Sequence, residues 1–392
     1  TEEKSVVRVG ALERESVQTF QPENASFSAL MAYVDANKLV DHEAALRQLN
    51  YFLYNRDDLS AVQVFELYLA LSEVQQLAGR YKQARVTLEQ AESVVVSLSA
   101  EEQSQARLRK IERSVALYRT MLNYPMVIAS LENGVEQAQI AGLNVESLRF
   151  CLLLASQLLQ LQQLDEARRW LTRARHYAED KGTPAQYIWY LMEKASWHLA
   201  AKERFLAQET LKRAISASAA QGLTALKFQA QLQLAKAYRL QKKYVYSEPL
   251  LQSLFEWAQK RRDRSAQFYV LKEIVASELA QRRISQAANY WQAMADQFRY
   301  VKTSKADKAQ LELESLELQL AIFVAQKRYV RAQNTLAKID RRVPKSINRE
   351  RSIMQLQTQM ALGHHEDAQQ TAVELMANLL EQQGSELTAL HH

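Results

Sequence analysis

Cysteine, proline and glycine are nearly missing from this sequence. A single cysteine excludes a disulfide framework within the chain. Eight glycines and five prolines in 392 residues are too few for the many corners of a turn-rich β architecture. The scattered glycines form no phosphate-cradling loop, so nucleotide hydrolysis is not expected. No apolar run reaches the roughly 18 residues of a membrane-spanning helix. There is no H-E-x-x-H, no cysteine pair and no recognisable catalytic grouping. The sequence therefore reads as non-enzymatic, with no metal and no cofactor.

What is present favours helices. Leu, Ala, Gln, Glu and Arg dominate, and 47% of residues are hydrophobic, enough for a sizeable core. Charge is uneven. Residues 241–352 carry 22 Lys and Arg against 12 Asp and Glu, whereas residues 353–392 carry none against 5. A basic stretch of this kind can steer acidic partners, or can simply be the solvated face of helices. Cys151, in "FCLLLA", reads as a core thiol. One cysteine is common in cytosolic chains and also in exported bacterial ones, so the reading is cytoplasmic, with a periplasmic location as the alternative. The chain opens "TEEKSVV" without an initiator methionine and reads as a piece of a longer or processed protein.

An internal repeat organises the rest. A small residue, a large apolar one four later and a small one three after that recur along the chain. The first small position falls at Ala45, Ala84, Val127, Ala167, Ala207, Ser247, Ala287, Ala332 and Ala368, at steps near 40. The large position is Leu49, Leu88, Leu131, Leu171, Leu211, Leu251, Trp291 and Leu336; only the last unit, with Ala372, departs from it. A preceding helix places its own small residue twelve positions upstream, at Ala155, Ala195 and Ala235. Gly142, Gly182 and Gly222 follow in the same phase and read as left-handed helix caps. Thr183 and Pro184 then read as the N-cap and first position of the next helix. Small residues let two helices approach, and the leucine fills the gap between hairpins. One hairpin cannot bury its faces alone, so stacked hairpins share a continuous core.

Nine hairpins are expected, at about 25–55, 60–98, 101–140, 144–181, 184–221, 223–261, 263–301, 305–341 and 346–383. A polar lead-in covers 1–24, with a short helix around Val6–Val17, and a tail covers 384–392. Pro249 predicts a helix that starts late, near Ser247. The proline-marked connection "DRRVPKSINRER" (340–351) reads as a mobile loop. No composition shift marks a second domain.

The small position of the first helix (Ala155, Ala195, Ala235) and the small–large–small set of the second (Ala167, Leu171, Ala174; Ala84, Leu88, Ala91) resemble the tetratricopeptide repeat (TPR). The resemblance spans roughly residues 25–383. It departs from that family in its longer period, about 40 rather than about 34 residues, and in lacking the proline that commonly ends a unit. It implies an all-α, right-handed superhelical solenoid whose first helices line a concave groove. Lengthened repeats are similar to those of VieB-like response regulators of cyclic-di-GMP control, where a receiver domain precedes the repeats. They are also similar to the ligand-sensing region of maltose-regulator-type transcription factors. A periplasmic sensor ahead of a membrane-bound catalytic domain is a third setting. What the first resemblance implies is a module of bacterial two-component signal transduction that docks and modulates a partner protein.

In resembling repeats the groove positions lie six and three residues before the small position of the first helix, and one and four after it. Here they select Arg149 and Leu152; Trp189 and Met192; Gln229, Leu232, Lys236 and Arg239; and Tyr269 and Lys272. Leu152, Met192 and Leu232 are equally well read as core, which leaves seven candidate binding residues. Their mix of aromatics and cations suits an extended peptide or helix with acidic groups. Charge reversal at Lys236, Arg239 and Lys272 is expected to weaken partner binding without lowering the melting temperature. Ser156, Ser196 and Lys236 stand where a carboxylate clamp would need asparagine, so chaperone-tail binding is not expected.

Other clusters have bland explanations. "KRRDR" (260–264) and "QRRIS" (281–285) fall at helix junctions, where cations oppose the helix dipole. No nucleic-acid-reading module is recognisable, and no nucleic-acid partner is expected. His364 and His365 are adjacent, so on a helix they would point about 100° apart and would rarely chelate together. The oligomeric state is left open, although exposed solenoid ends often pair and a homodimer is compatible with the pattern.

Overall fold

The computed structural model describes residues 20–301, 303, 305–341 and 349–389. The expected helix near Val6–Val17 and most of the 340–351 connection lie outside these. The chain divides into two compact units, residues 1–137 and 138–392. Among the described residues every regular element is helical. The first unit holds α1 (Phe27–Asn37), α2 (His42–Asn55), α3 (Ala61–Leu77), α4 (Tyr81–Val95) and α5 (Ala100–Thr120). Next comes α6 (Tyr124–Ile140), in which the boundary falls.

The second unit is more regular. It runs α7 (Asn144–Gln160), α8 (Leu164–Asp180), α9 (Pro184–Ala200), α10 (Arg204–Ala220), α11 (Thr224–Leu240), α12 (Tyr244–Lys260) and α13 (Arg264–Ala280). Each of these helices has 17 residues. With three-residue links, the 40-residue period is two identical half-periods. At about 1.5 Å per residue each helix is about 25 Å long. Then follow α14 (Ile284–Gln297) with a short 3₁₀ turn, the longer α15 (Lys305–Ala325), α16 (Tyr329–Asp340), α17 (Arg349–Ala361) and α18 (His365–Ala389). The longer α15 helps to account for the one step of 45 between repeats, and α18 continues past residue 383.

Within the second unit each odd-numbered helix packs on the even-numbered helix that follows it, and that even helix packs on the next odd one. Successive odd helices also touch one another; successive even helices make no comparable contact. The odd helices are thus the inner row and the even helices the outer row of the stack. Ala155, Ala167, Ala195, Ala207 and Ala235 are fully buried, as the small-residue seam requires, and Leu171, Leu211 and Leu251 are buried beside them. Serine replaces alanine twice at the seam, and each time its hydroxyl is satisfied. Ser247 Oγ donates to the carbonyl oxygen of Ala235 (3.0 Å), and Ser72 Oγ donates to that of Ala84 (3.1 Å). Thr183 caps α9 in a capping box with Gln186, with Pro184 first in the helix, as the sequence predicts.

Two local expectations are corrected. The helix carrying Pro249 does not start near Ser247; α12 begins at Tyr244 with Pro249 inside it. Pro249 forgoes one backbone bond, to the carbonyl of Val245. Packing outweighs that loss, because Ser247 must sit within the helix to reach Ala235. Gly182 is not a left-handed cap. Gly142 (φ 69°) and Gly222 (φ 65°) are, but Gly182 is absent from the left-handed region. It is needed for space instead: a Cβ there would lie 2.9 Å from the Ala178 carbonyl oxygen and 3.1 Å from Leu148 Cδ2.

The left-handed turns inside the hairpins are made largely without glycine. Leu122, Gln162, Lys202, Lys242, Arg282 and Lys327 all have φ between 55° and 63°. A side chain in that region costs about 1 kcal/mol or more relative to glycine. Gln162→Gly should therefore raise stability by about 1 kcal/mol, read as a higher urea midpoint. Gly182→Ala should lower it by about 1–2 kcal/mol through the clash with Ala178. A Gln162→Gly variant that loses stability, or a Gly182→Ala variant that loses none, would contradict this division of roles.

Candidate functional site

The seven predicted residues all fall on the inner-row helices of the second unit. Arg149 is on α7, Trp189 on α9, Gln229, Lys236 and Arg239 on α11, and Tyr269 and Lys272 on α13. Gln229 and Lys236 are exposed; the other five are half-buried. Leu152 and Met192 are core, at 0% and 4% exposure, and Leu232 packs against the core around Phe268. The aliphatic members of the pattern thus hold the stack together, Tyr269 packs partly on the same core as Leu232, and the polar members and Trp189 are exposed or half-buried.

The face is not simply basic, because neighbouring helices supply acids. Lys272 Nζ lies 2.6 Å from Glu314 Oε2 on α15. Arg239 Nη2 lies 3.2 Å from Glu273 Oε2 on α13. Arg351 on α17 reaches back to Glu317 on α15 at 3.8 Å. One ion pair thus joins each neighbouring pair of helices from α11 to α17. Burial pushes the Glu314 carboxyl upward, but Lys272, Gln310 and Lys236 outweigh it and hold it below the usual carboxylate range. The first unit repeats the device: Lys38, the C-cap of α1, meets Glu73 on α3 (3.4 Å), and Arg109 on α5 meets Glu66 on α3.

This overturns part of the charge-reversal expectation. Arg239 and Lys272 are structural partners of carboxylates, so reversing them should destabilise the stack. Lys236 is exposed and makes no direct ion pair among the described residues, acting on Glu314 only through its charge, so of the three it is the probe of binding with the least structural role.

Arg149 sits 2.9 Å from Glu146 on its own helix. Trp189 Nε1 donates to Glu193 Oε1 (3.1 Å), and Ser156 on α7 also donates to that carboxylate. Burial pushes Glu193 up to about 7 in spite of these two donors. No cation among the described residues pairs with it. The sequence pattern missed Glu193, Glu273, Glu314 and Glu317. Glu193 and Glu273 stand two residues before the small position, beside the groove positions scored. Glu314 and Glu317 belong to α15, where the longer helix breaks the register.

Two clefts lie away from these residues. One, of about 410 Å³, is lined by Gly182, Pro184, Tyr187 and Gln221 in the second unit. The other, of about 320 Å³, is lined by Met31, Glu66, Glu73 and Arg113 in the first. Cys151 is fully buried, and burial pushes its thiol up to about 12, so it is held as an unreactive thiol. Among the described residues no three His, Cys, Asp or Glu side chains come together as metal ligands, and no helix is long and apolar enough to cross a membrane.

The architecture defines a TPR-type helical-repeat scaffold, and solved structures agree. The Rap protein complexed with Competence and Sporulation Factor is similar over 81% of this chain and 86% of its own, at 14% identity and a TM-score of 0.53. Aspartyl phosphate phosphatase F from Bacillus subtilis is similar over 82% and 86%, at 14% identity and a TM-score of 0.53. The Rap conjugation gene regulator of the plasmid pLS20, in complex with the Phr peptide, is similar over 80% and 95%, at 12% identity and a TM-score of 0.51. At such identities the likeness is one of fold. No protein-family model and no curated protein sequence matches the chain.

Proposed function

We propose that this chain is a non-enzymatic docking module of a bacterial signal-transduction regulator, holding a peptide or protein segment on the inner helix face of its second unit. The observation that carries the reading is the row of Trp189, Gln229, Lys236 and Tyr269. These side chains stand at the surface of successive inner-row helices, Gln229 and Lys236 exposed and Trp189 and Tyr269 half-buried, beside the buried seam. One neighbour of the same fold has been solved with a peptide bound and another with Competence and Sporulation Factor, which supports the reading. The finer proposal is a VieB-like, two-component setting in the cytoplasm. There the partner segment carries an acidic group to meet Lys236, and docking holds the partner active or inactive.

Peptides selected from a displayed library against the full chain provide the test. Lys236→Glu and Trp189→Ala should each weaken the selected peptides about tenfold or more, by fluorescence anisotropy. Lys236→Glu should lower urea stability less than Lys272→Glu does, because Lys236 acts on Glu314 through its charge alone, without a direct contact. Lys272→Glu should lower that stability by about 2 kcal/mol, because Glu314 loses its partner in a half-buried setting. Peptides that bind Lys236→Glu and Trp189→Ala as tightly as the parent chain would remove this face as the docking site.

A further inference from the structure

A different edge of the second unit carries its own signal. The links between α9 and α10, α11 and α12, and α13 and α14, with the first residue of α10, all carry cations. Lys202, Arg204, Lys242, Lys243 and Arg282 are exposed there, and none has an ion-pair partner among the described residues. The acids beside these three links are engaged, whereas Asp165 and Glu166 at the preceding link are exposed without an ion-pair partner among the described residues. Glu203 meets His198 Nδ1 at 2.6 Å, and Glu248 takes both Gln281 Nε2 (2.7 Å) and Arg283. The links lie side by side. Gln241 Nε2 donates to the Arg204 carbonyl oxygen (3.1 Å), and the Gln281–Glu248 bond ties the third link to the second hairpin. None of the three outer helices has a side-chain cap on its first turn, so three positive dipole ends add to the same field.

Large apolar side chains stand among these cations. The second and third residues of α10 are Phe205 (67% exposed) and Leu206 (47%); those of α12 are Val245 (81%) and Tyr246 (62%). The same positions are Asp165 and Glu166 in α8, and Ser285 and Gln286 in α14. The apolar patch is therefore bounded to two adjacent hairpins and is no general property of the repeat. Its members protrude instead of lining a recess. Protruding aliphatic and aromatic side chains ringed by unpaired cations gain little from a nucleic-acid backbone. They gain most from a soft interface that takes the side chains in and offers phosphates to the rim.

We propose that this edge docks on an anionic lipid bilayer. Lys202, Arg204, Lys242, Lys243 and Arg282 meet headgroup phosphates, and Phe205, Leu206, Val245 and Tyr246 enter the headgroup–acyl boundary. The inference does not depend on the peptide-docking reading, since it uses other residues and another ligand.

Co-sedimentation of the full chain with phosphatidylcholine vesicles, with and without phosphatidylglycerol, tests it. The chain should pellet with the anionic vesicles only, and less so as salt rises. Lys242→Glu with Lys243→Glu should weaken binding about tenfold or more, from the loss of two cations near an anionic surface. Phe205→Ser with Val245→Ser should weaken it to a similar degree, and Arg169→Glu with Arg175→Glu should not. All three double variants change exposed positions, and matching melting curves would show that they fold. No vesicle binding by the parent chain would overturn the proposal. So would serine variants that bind as well as the parent, or capture by transfer RNA or polyglutamate in preference to anionic vesicles.

Discussion

Phe268→Ala is expected to destabilise the second unit by about 3–5 kcal/mol, the range for emptying a fully buried aromatic site. Phe268 is 0% exposed on α13, with ring centroids of Tyr269 and Phe298 each 5.6 Å away. Its core also draws on Phe228 from α11, Leu254 from α12, Met294 from α14 and Leu311 from α15. One side chain therefore serves several hairpins. A solenoid has only nearest-neighbour contacts, so a cavity at one interface cannot be offset by rearrangement elsewhere. Phe268→Leu, which keeps most of the volume, should cost about 1–2 kcal/mol. Urea unfolding followed by the fluorescence of Trp257 and Trp291 reads both. A loss below about 1 kcal/mol for the alanine variant would mean that the helices close over the gap.

Glu193→Gln is expected to stabilise the chain at alkaline pH. Burial raises this carboxyl from its ordinary value to about 7. Its folded pKa is above its unfolded one, so the folded state binds more protons between about 4.5 and 7. Its contribution to stability is fully present below the unfolded pKa and is lost as pH rises through the folded one. Glutamine keeps the shape and can still accept the Trp189 and Ser156 hydrogen bonds, without a charge to desolvate. At pH 8 the variant should be more stable by about 2 kcal/mol, and near pH 4 the difference should vanish. Urea midpoints across that range would show it. A difference that does not change with pH would mean that the Glu193 carboxyl does not titrate there. A cationic group brought to the inner face by a docked segment would remove the penalty in another way, by pairing with the carboxylate.

The seam was legible because its cause is local and repeated. Where two helices approach most closely the sequence mostly has alanine, and four residues later mostly leucine, at steps near 40. Thr183 and Pro184 were legible for the same reason, since a capping box is written in four consecutive residues. The errors share a different origin. Pro249 looked like a helix start because its own backbone forbids one bond, whereas the deciding contact is the reach of Ser247 to Ala235. Gly182 looked like a cap because of its phase with Gly142 and Gly222. Its actual constraint is the proximity of Ala178 and of Leu148, 34 residues away in sequence. The inner face was half legible. The positions of Lys236 and Lys272 follow from the repeat, but their electrostatics depend on acids in other hairpins. Arg239 meets Glu273 across 34 residues of sequence and Lys272 meets Glu314 across 42. No window along the chain shows that these charges are already spent.

The unequal packing of the two helix rows has a mechanical consequence. Inner helices pack on one another and are clipped by ion pairs, whereas outer helices pack on the inner helices on either side and meet one another only through a few side chains. Flexing that spreads the outer row parts only side-chain bonds, such as Arg173 from Gln139 and Arg283 from Glu248. Flexing that opens the inner row must part Arg239 from Glu273 and Lys272 from Glu314. The second unit should behave as a spring with one soft and one stiff bending direction. A load applied through its ends would be carried first by the charged clips, and only afterwards by the hydrophobic core.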